Sequence, residues 1–202
     1  WCAEAHIETE YTQLNDAVFI QTLRQLSVYK FKYALIPAAT NTAVSTQPIA
    51  LSDATWDWVA LHTIFTMQAG KYYATDSYAS GTTPLISASN EDNGVKAWTD
   101  LTPVYTHPAI TIGKIGAAAH FQPNPFCASA DVTVLRNANL TAFIGVFLVS
   151  VIGLEGFKWH YGRQLRLHDC MALRIKLPVR AGQPDWAFMT AYIQKLPYAS
   201  NL

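Results

Sequence analysis

The sequence is poor in cysteine and in charge, and it has no uninterrupted apolar run long enough to cross a membrane. Its three cysteines are odd in number and widely spaced, which argues against a disulfide framework and favours a cytoplasmic protein. The longest apolar candidate, residues 140–157, contains Ser150 and Glu155, so we interpret it as part of a buried core. The chain begins with Trp1 and shows no leader segment, and we expect it to be part of a longer polypeptide.

The motifs of the common catalytic sites are also missing. There is no GxGxxG or GxxxxGKS/T phosphate loop, no HExxH metal motif, no NPPY-like methyltransferase loop and no PD…(D/E)xK nuclease arrangement. The six histidines are too scattered to form a metal ligand set. Residues 168–170 read His-Asp-Cys, but in a strand neighbouring side chains point to opposite faces. We therefore predict a chain without catalytic residues, metal or cofactor of its own.

Formal net charge is zero, but the charges are unevenly distributed. Residues 1–100 hold five basic and ten acidic side chains, whereas residues 151–202 hold seven basic and three acidic ones. A neutral chain does not hold nucleic acid by bulk electrostatics alone. An acidic N-terminal half and a basic C-terminal third instead indicate one face for a protein and another for a polyanion.

Apolar periodicity predicts two helices in the first part of the chain. Residues 4–27 carry an apolar stripe at helical spacing. Residues 37–52 are rich in Ala, Thr and Ser, with two prolines and no charged residue. We therefore interpret them as a connector and place a boundary near residue 50. The spacing of apolar residues from Trp58 to Phe65 predicts a second helix that begins at Ser52 or Asp53 and ends at Gly70.

Short β-rich runs follow, and two further helices are predicted near the C-terminus. The predicted strands lie in TPLISAS, AITIGKIGAAAHF, SADVTVLR and CMALRIKLPV. Residues 140–152 predict a buried helix, and residues 185–196 a final helix with Asp185 in its first turn. The predicted fold class is therefore α+β, with a mixed, strand-rich domain over residues 51–202 and a helical extension over residues 1–50.

Four stretches place basic, amide and aromatic side chains on loops punctuated by glycine, namely residues 70–73, 83–98, 111–116 and 157–168. Basic side chains suit phosphates, planar rings suit stacking, and amides suit base edges. The candidate DNA-contacting residues are Lys71, Tyr73, Ser89, Asn90, Asn93, Lys96, Trp98, Lys114, Lys158, Trp159, Tyr161, Arg163 and Arg166. A structural interpretation stands beside each: the aromatic rings can be partly buried and the basic cluster can be an ordinary solvated face.

Five blocks, in this order along the chain, resemble the target recognition domain of type I restriction–modification specificity subunits. The blocks are WDWVALHTIFTMQAGK, GTTPLISASNEDNGV, AITIGKIGAAAHFQPNPFCASADVTVL, KWHYGR and a last segment that runs from LRIKLPV to YI. They extend from about Trp56 to about Leu196. The resemblance is strongest to the single-domain versions associated with restriction–methylation enzymes of types IIG and IIB. Only AITIGKIG and YGR are carried over as framework motifs.

The resemblance implies a module that reads double-stranded DNA through strands and loops in the major groove and has no catalytic residues. Such a module directs an adenine methyltransferase, and usually a restriction endonuclease, to a short asymmetric sequence. S-adenosylmethionine and Mg²⁺ are then expected on the partner catalytic domains. Helices that flank the module are expected to bind a methyltransferase or nuclease subunit or fused domain, or a second recognition domain, which includes a homodimer.

Two other functions stay open at this point. A protein-interaction module without DNA contact would use the same polar loops for a partner protein. The basic cluster from Lys158 to Arg166 separates the two functions, because rising salt weakens DNA binding steeply. A small hydrolase would use Cys127 and His120, although an apolar neighbourhood is typical of an inert buried thiol.

Overall fold

The computed structural model describes residues 13–33 and 49–202. Its helices are α1 (Asp16–Lys32), α2 (Leu61–Ile64), α3 (Ala142–Gly153), α4 (Leu167–Ala172) and α5 (Trp186–Gln194). Its strands are β1 (Thr55–Ala60), β2 (Thr66–Ala69), β3 (Ser80–Ile86), β4 (Val95–Thr99), β5 (Ala109–Gly113), β6 (Ala119–Gln122), β7 (Cys127–Ala128), β8 (Val132–Arg136), β9 (Arg174–Arg180) and β10 (Gln183–Pro184).

The strands form three small sheets in the described part of the chain, with the strand orders β1-β9-β10, β2-β8-β5-β6 and β4-β3-β7. The strand pairs are antiparallel, apart from β3 and β7, which run parallel. Short sheets with helices packed around them define an α+β fold, so the predicted fold class is confirmed.

The centre of the hydrophobic core is α3, which is apolar on all sides and buried along most of its length. The Thr141 hydroxyl caps its N-terminus by accepting a hydrogen bond from the Ile144 amide at 3.3 Å. The Phe147 ring lies 4.9 Å from that of Phe19 on α1 and 6.1 Å from that of Tyr192 on α5, centre to centre. Helix α1 therefore shares one core with the strand-rich part of the chain.

The helix predicted between residues 52 and 70 is wrong over most of its length. Only Leu61–Ile64 are helical, and the residues on either side form β1 and β2. Strand β1 pairs over its whole length with β9, where Trp58 lies opposite Lys176, more than a hundred residues away in sequence. Pairing with a distant strand outweighs a weak local periodicity, because strand propensity depends on cross-strand contacts.

The later elements follow the prediction closely. Helix α3 spans Ala142–Gly153, against the predicted residues 140–152, and α5 begins directly after Asp185, whose carboxylate accepts from the Phe188 amide at 3.0 Å. The run CMALRIKLPV is corrected at its start, since its first three residues end α4 and the strand begins at Arg174. Residues 4–12 of the first predicted helix and most of the connector lie outside the described residues. No helix in the described ranges combines the length and apolar character that crossing a membrane requires.

Candidate nucleic-acid interface

Three loops from separate parts of the chain meet, and we call them together the three-loop surface. They are residues 87–94 between β3 and β4, residues 113–118 between β5 and β6, and residues 156–166 between α3 and α4. The first and second loops touch at Gly113, where an added Cβ would lie 2.9 Å from the Cα of Ala88. The second and third touch at Gly156, where an added Cβ would lie 2.5 Å from the Gly116 carbonyl oxygen.

The loop of residues 87–94 is a closed hairpin excursion held from below. The Ser87 amide donates to the Gly94 carbonyl at 2.8 Å, and three consecutive residues, 92–94, have positive φ. The side-chain amide of Asn93 donates to the Phe121 carbonyl at 2.9 Å, and the ring Nε2 of His120 lies 2.8 Å from the Ser89 carbonyl oxygen. Strand β6 therefore fixes both halves of this loop.

The other two loops are joined through their main chains. The Gly116 amide donates to the Trp159 carbonyl at 3.0 Å, and the Leu165 amide donates to the Lys114 carbonyl at 2.7 Å. These two bonds connect TIGKIG with the segment that contains YGR, which are the two framework motifs of the resemblance. A further bond, from the Lys114 amide to the Asp131 carbonyl at 3.1 Å, adds the start of β8 to this frame.

The candidate residues differ in how far the structure exposes them. Six side chains are exposed: Lys71, Asn90, Lys96, Tyr161, Arg163 and Arg166. Six are half-buried: Tyr73, Ser89, Asn93, Trp98, Lys114 and Lys158. The thirteenth, Trp159, is buried. Four of the exposed residues, Asn90, Tyr161, Arg163 and Arg166, lie on the three-loop surface.

Two of the basic candidates are paired with carboxylates inside the protein. The Lys114 ammonium contacts the Asp131 carboxylate, and both side chains are partly exposed. The Lys158 ammonium contacts the carboxylate of Glu155, which is fully buried. The ion pair of Lys158 therefore has a structural function, because a buried carboxylate is costly without an opposite charge.

Several of the aromatic and amide candidates serve packing. The Arg163 guanidinium lies over the buried Trp159 ring, 4.9 Å from the centre of that ring. The Trp98 ring lies 4.7 Å from that of Tyr33, just after α1. Burial raises the pKa of Tyr73 to about 12, so its hydroxyl remains protonated. Asn93 and Trp159 thus help to hold the frame of the loops, and their contact with DNA stays a prediction.

Lys71 and Lys96 lie beside the three-loop surface rather than on it. The Lys71 amide donates to the Ala128 carbonyl at 2.8 Å, next to the parallel pairing of β3 with β7. Lys96 follows the loop of residues 87–94 on β4, and its side chain is exposed. Both side chains are exposed, so either ammonium group can reach a ligand that extends past the loops.

The hydrolase alternative finds no support in the positions of Cys127 and His120. The Cys127 thiol is buried and donates to the Thr102 carbonyl at 3.4 Å, while the ring of His120 binds the Ser89 carbonyl. Burial lowers the pKa of His120 and raises that of the Cys170 thiol to about 11.

Residues 168–170 lie in helix α4 rather than in a strand, which corrects the prediction. Residues 13–33 and 49–202 contain no group of three or more His, Cys, Asp or Glu side chains arranged for a metal ion.

Sequence reasoning missed two residues of this region. Asp131, which pairs with Lys114, gave no local signal because it lies seventeen residues further along the chain. Phe157 is 59% exposed on the third loop, beside Lys158. Its position in FKWHYGR gave no signal that separates it from Trp159, which lies in the same loop and is buried.

A comparison with known proteins finds a similar sequence in a restriction enzyme specificity subunit. The chain is 25% identical over 153 residues to the type II restriction enzyme specificity subunit S.BcgI of Heyndrickxia coagulans, covering 73% of this chain and 45% of that protein. The resemblance stated from the five sequence blocks is therefore confirmed. No family model matches the chain.

Solved structures of type I specificity subunits share the fold. The S subunit from M. genitalium aligns over 92% of this chain and 50% of its own length, with a TM-score of 0.54 and 15% sequence identity. The HsdS subunit of Thermoanaerobacter tengcongensis aligns over 92% of this chain and 46% of its own length, with a TM-score of 0.51 and 13% identity. The chain thus spans about half the length of the relatives that it matches.

Proposed function

We propose that this chain is a non-catalytic module that recognises a specific sequence in double-stranded DNA. The observation that carries the proposal is the meeting of three distant loops in one surface that exposes Asn90, Tyr161, Arg163 and Arg166. An amide for base edges, guanidinium groups for phosphates and guanine, and a planar ring are the chemistry that DNA recognition uses. Similarity to restriction enzyme specificity subunits supports the same function.

Within this function we assign roles by exposure and position. Asn90 and Ser89 are proposed to contact base edges, whereas Lys71, Lys96, Arg163 and Arg166 are proposed to contact phosphates and set register. Lys114 is also proposed to contact a phosphate, after its ammonium group has separated from the Asp131 carboxylate. A good bidentate contact to a base is worth about 1–3 kcal/mol of discrimination.

The chain would act with partners that carry the chemistry. We propose that an adenine methyltransferase and a restriction endonuclease, fused or separate, supply S-adenosylmethionine and Mg²⁺ binding, in the cytoplasm. A second recognition domain, or a second copy of this chain, would occupy the missing half of a two-domain arrangement, because the chain spans about half of its relatives. Helix α1, whose Val28 side chain is exposed, offers a surface for such a partner.

Methylation mapping tests the proposed function directly. Genomic DNA would be compared between cells that express the intact system and cells in which only this chain is deleted. Loss of one modified motif is expected, and unchanged methylation at every motif would refute the proposal. Binding of the mapped duplex and of a scrambled duplex, measured by fluorescence anisotropy, then gives the discrimination ratio, which Asn90→Ala should lower.

A protein-interaction module remains the second candidate, and one groove favours it. The groove has a volume of about 520 Å³ and lies between α1, residues 90–93 and strand β6, with Arg24, Glu91 and Asp92 among its charged residues. Salt separates the candidates, because DNA affinity falls steeply with salt while a polar protein interface responds less. Salt-insensitive binding of a partner protein, together with no DNA binding, would favour this second function.

A further inference from the structure

Residues 160–163 form a four-residue hairpin on the three-loop surface. The amide of His160 donates to the Arg163 carbonyl at 3.0 Å, and the amide of Arg163 returns a bond to the His160 carbonyl at 2.9 Å. The Gly162 amide also donates to the His160 ring nitrogen Nδ1 at 3.2 Å. These bonds close the hairpin and place Tyr161 at its tip, where the residue is 83% exposed.

The base of the hairpin is fixed to the rest of the protein. The residue before it, Trp159, is buried, and its carbonyl accepts from the Gly116 amide at 3.0 Å. The Arg163 guanidinium covers the Trp159 ring from the other side of the hairpin. The Tyr161 side chain is therefore exposed to solvent on a hairpin whose base is held in place by these contacts.

Exposed basic groups lie on the same loop as this ring, namely Arg163 and Arg166. The Lys158 ammonium, paired with Glu155, lies 5.4 Å from the centre of the exposed Phe157 ring. Two exposed aromatic rings in a positive neighbourhood match a ligand that is negatively charged on its outside and has flat apolar faces within. A base stack enclosed by phosphates has these properties.

We propose that Tyr161 inserts into the base stack of the bound DNA and unstacks one base step, with Phe157 covering the opened step from the side. This inference rests on the proposed function and adds to it a mode of recognition by deformation. Pyrimidine–purine steps open more easily than others, so the tyrosine would favour such a step without making a hydrogen bond to it. Part of the sequence preference would then come from DNA stiffness.

Fluorescent base analogues test the inference on the intact native enzyme that contains this chain. Duplexes with the mapped target would carry 2-aminopurine in place of each adenine, or pyrrolocytosine in place of each cytosine, one position at a time. The base that the methyltransferase modifies is left unlabelled. The wild-type enzyme is expected to raise the fluorescence of an analogue at one step, because unstacking relieves quenching.

The variants separate the ring from its surroundings. Tyr161→Ala is expected to abolish the fluorescence increase and to weaken binding about tenfold, the effect of one lost base–aromatic stack. Tyr161→Phe keeps the aromatic ring and should retain both the fluorescence increase and the affinity for the target. Tyr198→Ala removes a tyrosine that is 44% exposed outside the three-loop surface and should change neither.

The outcomes distinguish this inference from the proposed function. If the wild-type enzyme binds the target no better than a scrambled duplex, the proposed function fails and the inference fails with it. If it binds selectively but no labelled position brightens, or if Tyr161→Ala brightens like the wild type, the inference alone is overturned. Circular dichroism of each variant verifies that the fold is retained.

Discussion

Replacing Asp131 by asparagine should increase the salt dependence of DNA binding. In the wild-type protein the Asp131 carboxylate engages the Lys114 ammonium, on a turn whose main chain is held from two sides. The substitution removes one negative charge from a position next to the three-loop surface and releases the Lys114 ammonium, while the main-chain bond from Lys114 to the carbonyl at position 131 is retained. The freed lysine can then contact a phosphate.

The size of the effect follows from counterion release. One added phosphate contact makes the slope of log K against log salt more negative by about 0.9, which corresponds to roughly a threefold larger loss of affinity between about 50 and about 200 mM salt. Stability should change by less than about 1 kcal/mol, because both side chains of the pair are partly exposed, at 31% and 52%. The discrimination ratio should stay unchanged, since a phosphate contact strengthens binding to every sequence by about the same factor.

The assay is fluorescence anisotropy with the mapped target and a scrambled duplex over a series of salt concentrations. Asp57→Asn is the matched control, because it makes the same charge change on β1, where the carboxylate accepts a hydrogen bond from the Trp58 amide at 2.7 Å. An unchanged slope for Asp131→Asn, or the same change in both variants, would show that Lys114 does not face a phosphate.

Three further predictions concern the frame of the surface. Lys158→Ala should lower the free energy of unfolding by roughly 3 kcal/mol, measured by urea denaturation, because the buried Glu155 carboxylate loses an opposite charge; an equally stable variant would contradict this. Gly113→Val should lower discrimination between target and scrambled duplexes, since its side chain would displace the main chain at Ala88, and it should cost about 1–3 kcal/mol of stability. Burial lowers the pKa of His120 below its ordinary value of 6.5, so the unfolded state takes up the proton first and stability should decline as pH falls below about 6.5. His120→Gln should flatten this decline in urea titrations at successive pH values, and an unaltered pH dependence would exclude His120 as its source.

The sequence predicted those elements whose signals are local. Helix α3 was predictable because its apolar run is longer than a strand, and α5 because a proline and Asp185 mark its beginning. The loop of residues 87–94 was predictable as a hairpin excursion from its Ser, Asn, Asp and Gly content. In each case the information lies within about ten residues of the element.

The misassigned elements depend on distant partners. Trp56 and Trp58 precede a stretch whose apolar residues follow helical spacing. They nevertheless lie in a strand, because β9 pairs with it. In the candidate interface, the burial of Trp159 depends on the joining of its loop to residues 113–118, which no local pattern indicates. The residue types of the site were therefore predictable, whereas their division into exposed and internal residues was not.

The bonds that join the second and third loops have a practical consequence for re-engineering the protein. They link main-chain atoms of Gly116 with Trp159, and of Lys114 with Leu165, so they do not depend on which side chains the neighbouring exposed positions carry. Exposed positions outside the YGR motif, such as 90 and 166, can thus be randomised together while the loops keep their relative places. A library built on this scaffold would sample new binding preferences without having to rediscover a fold for each one.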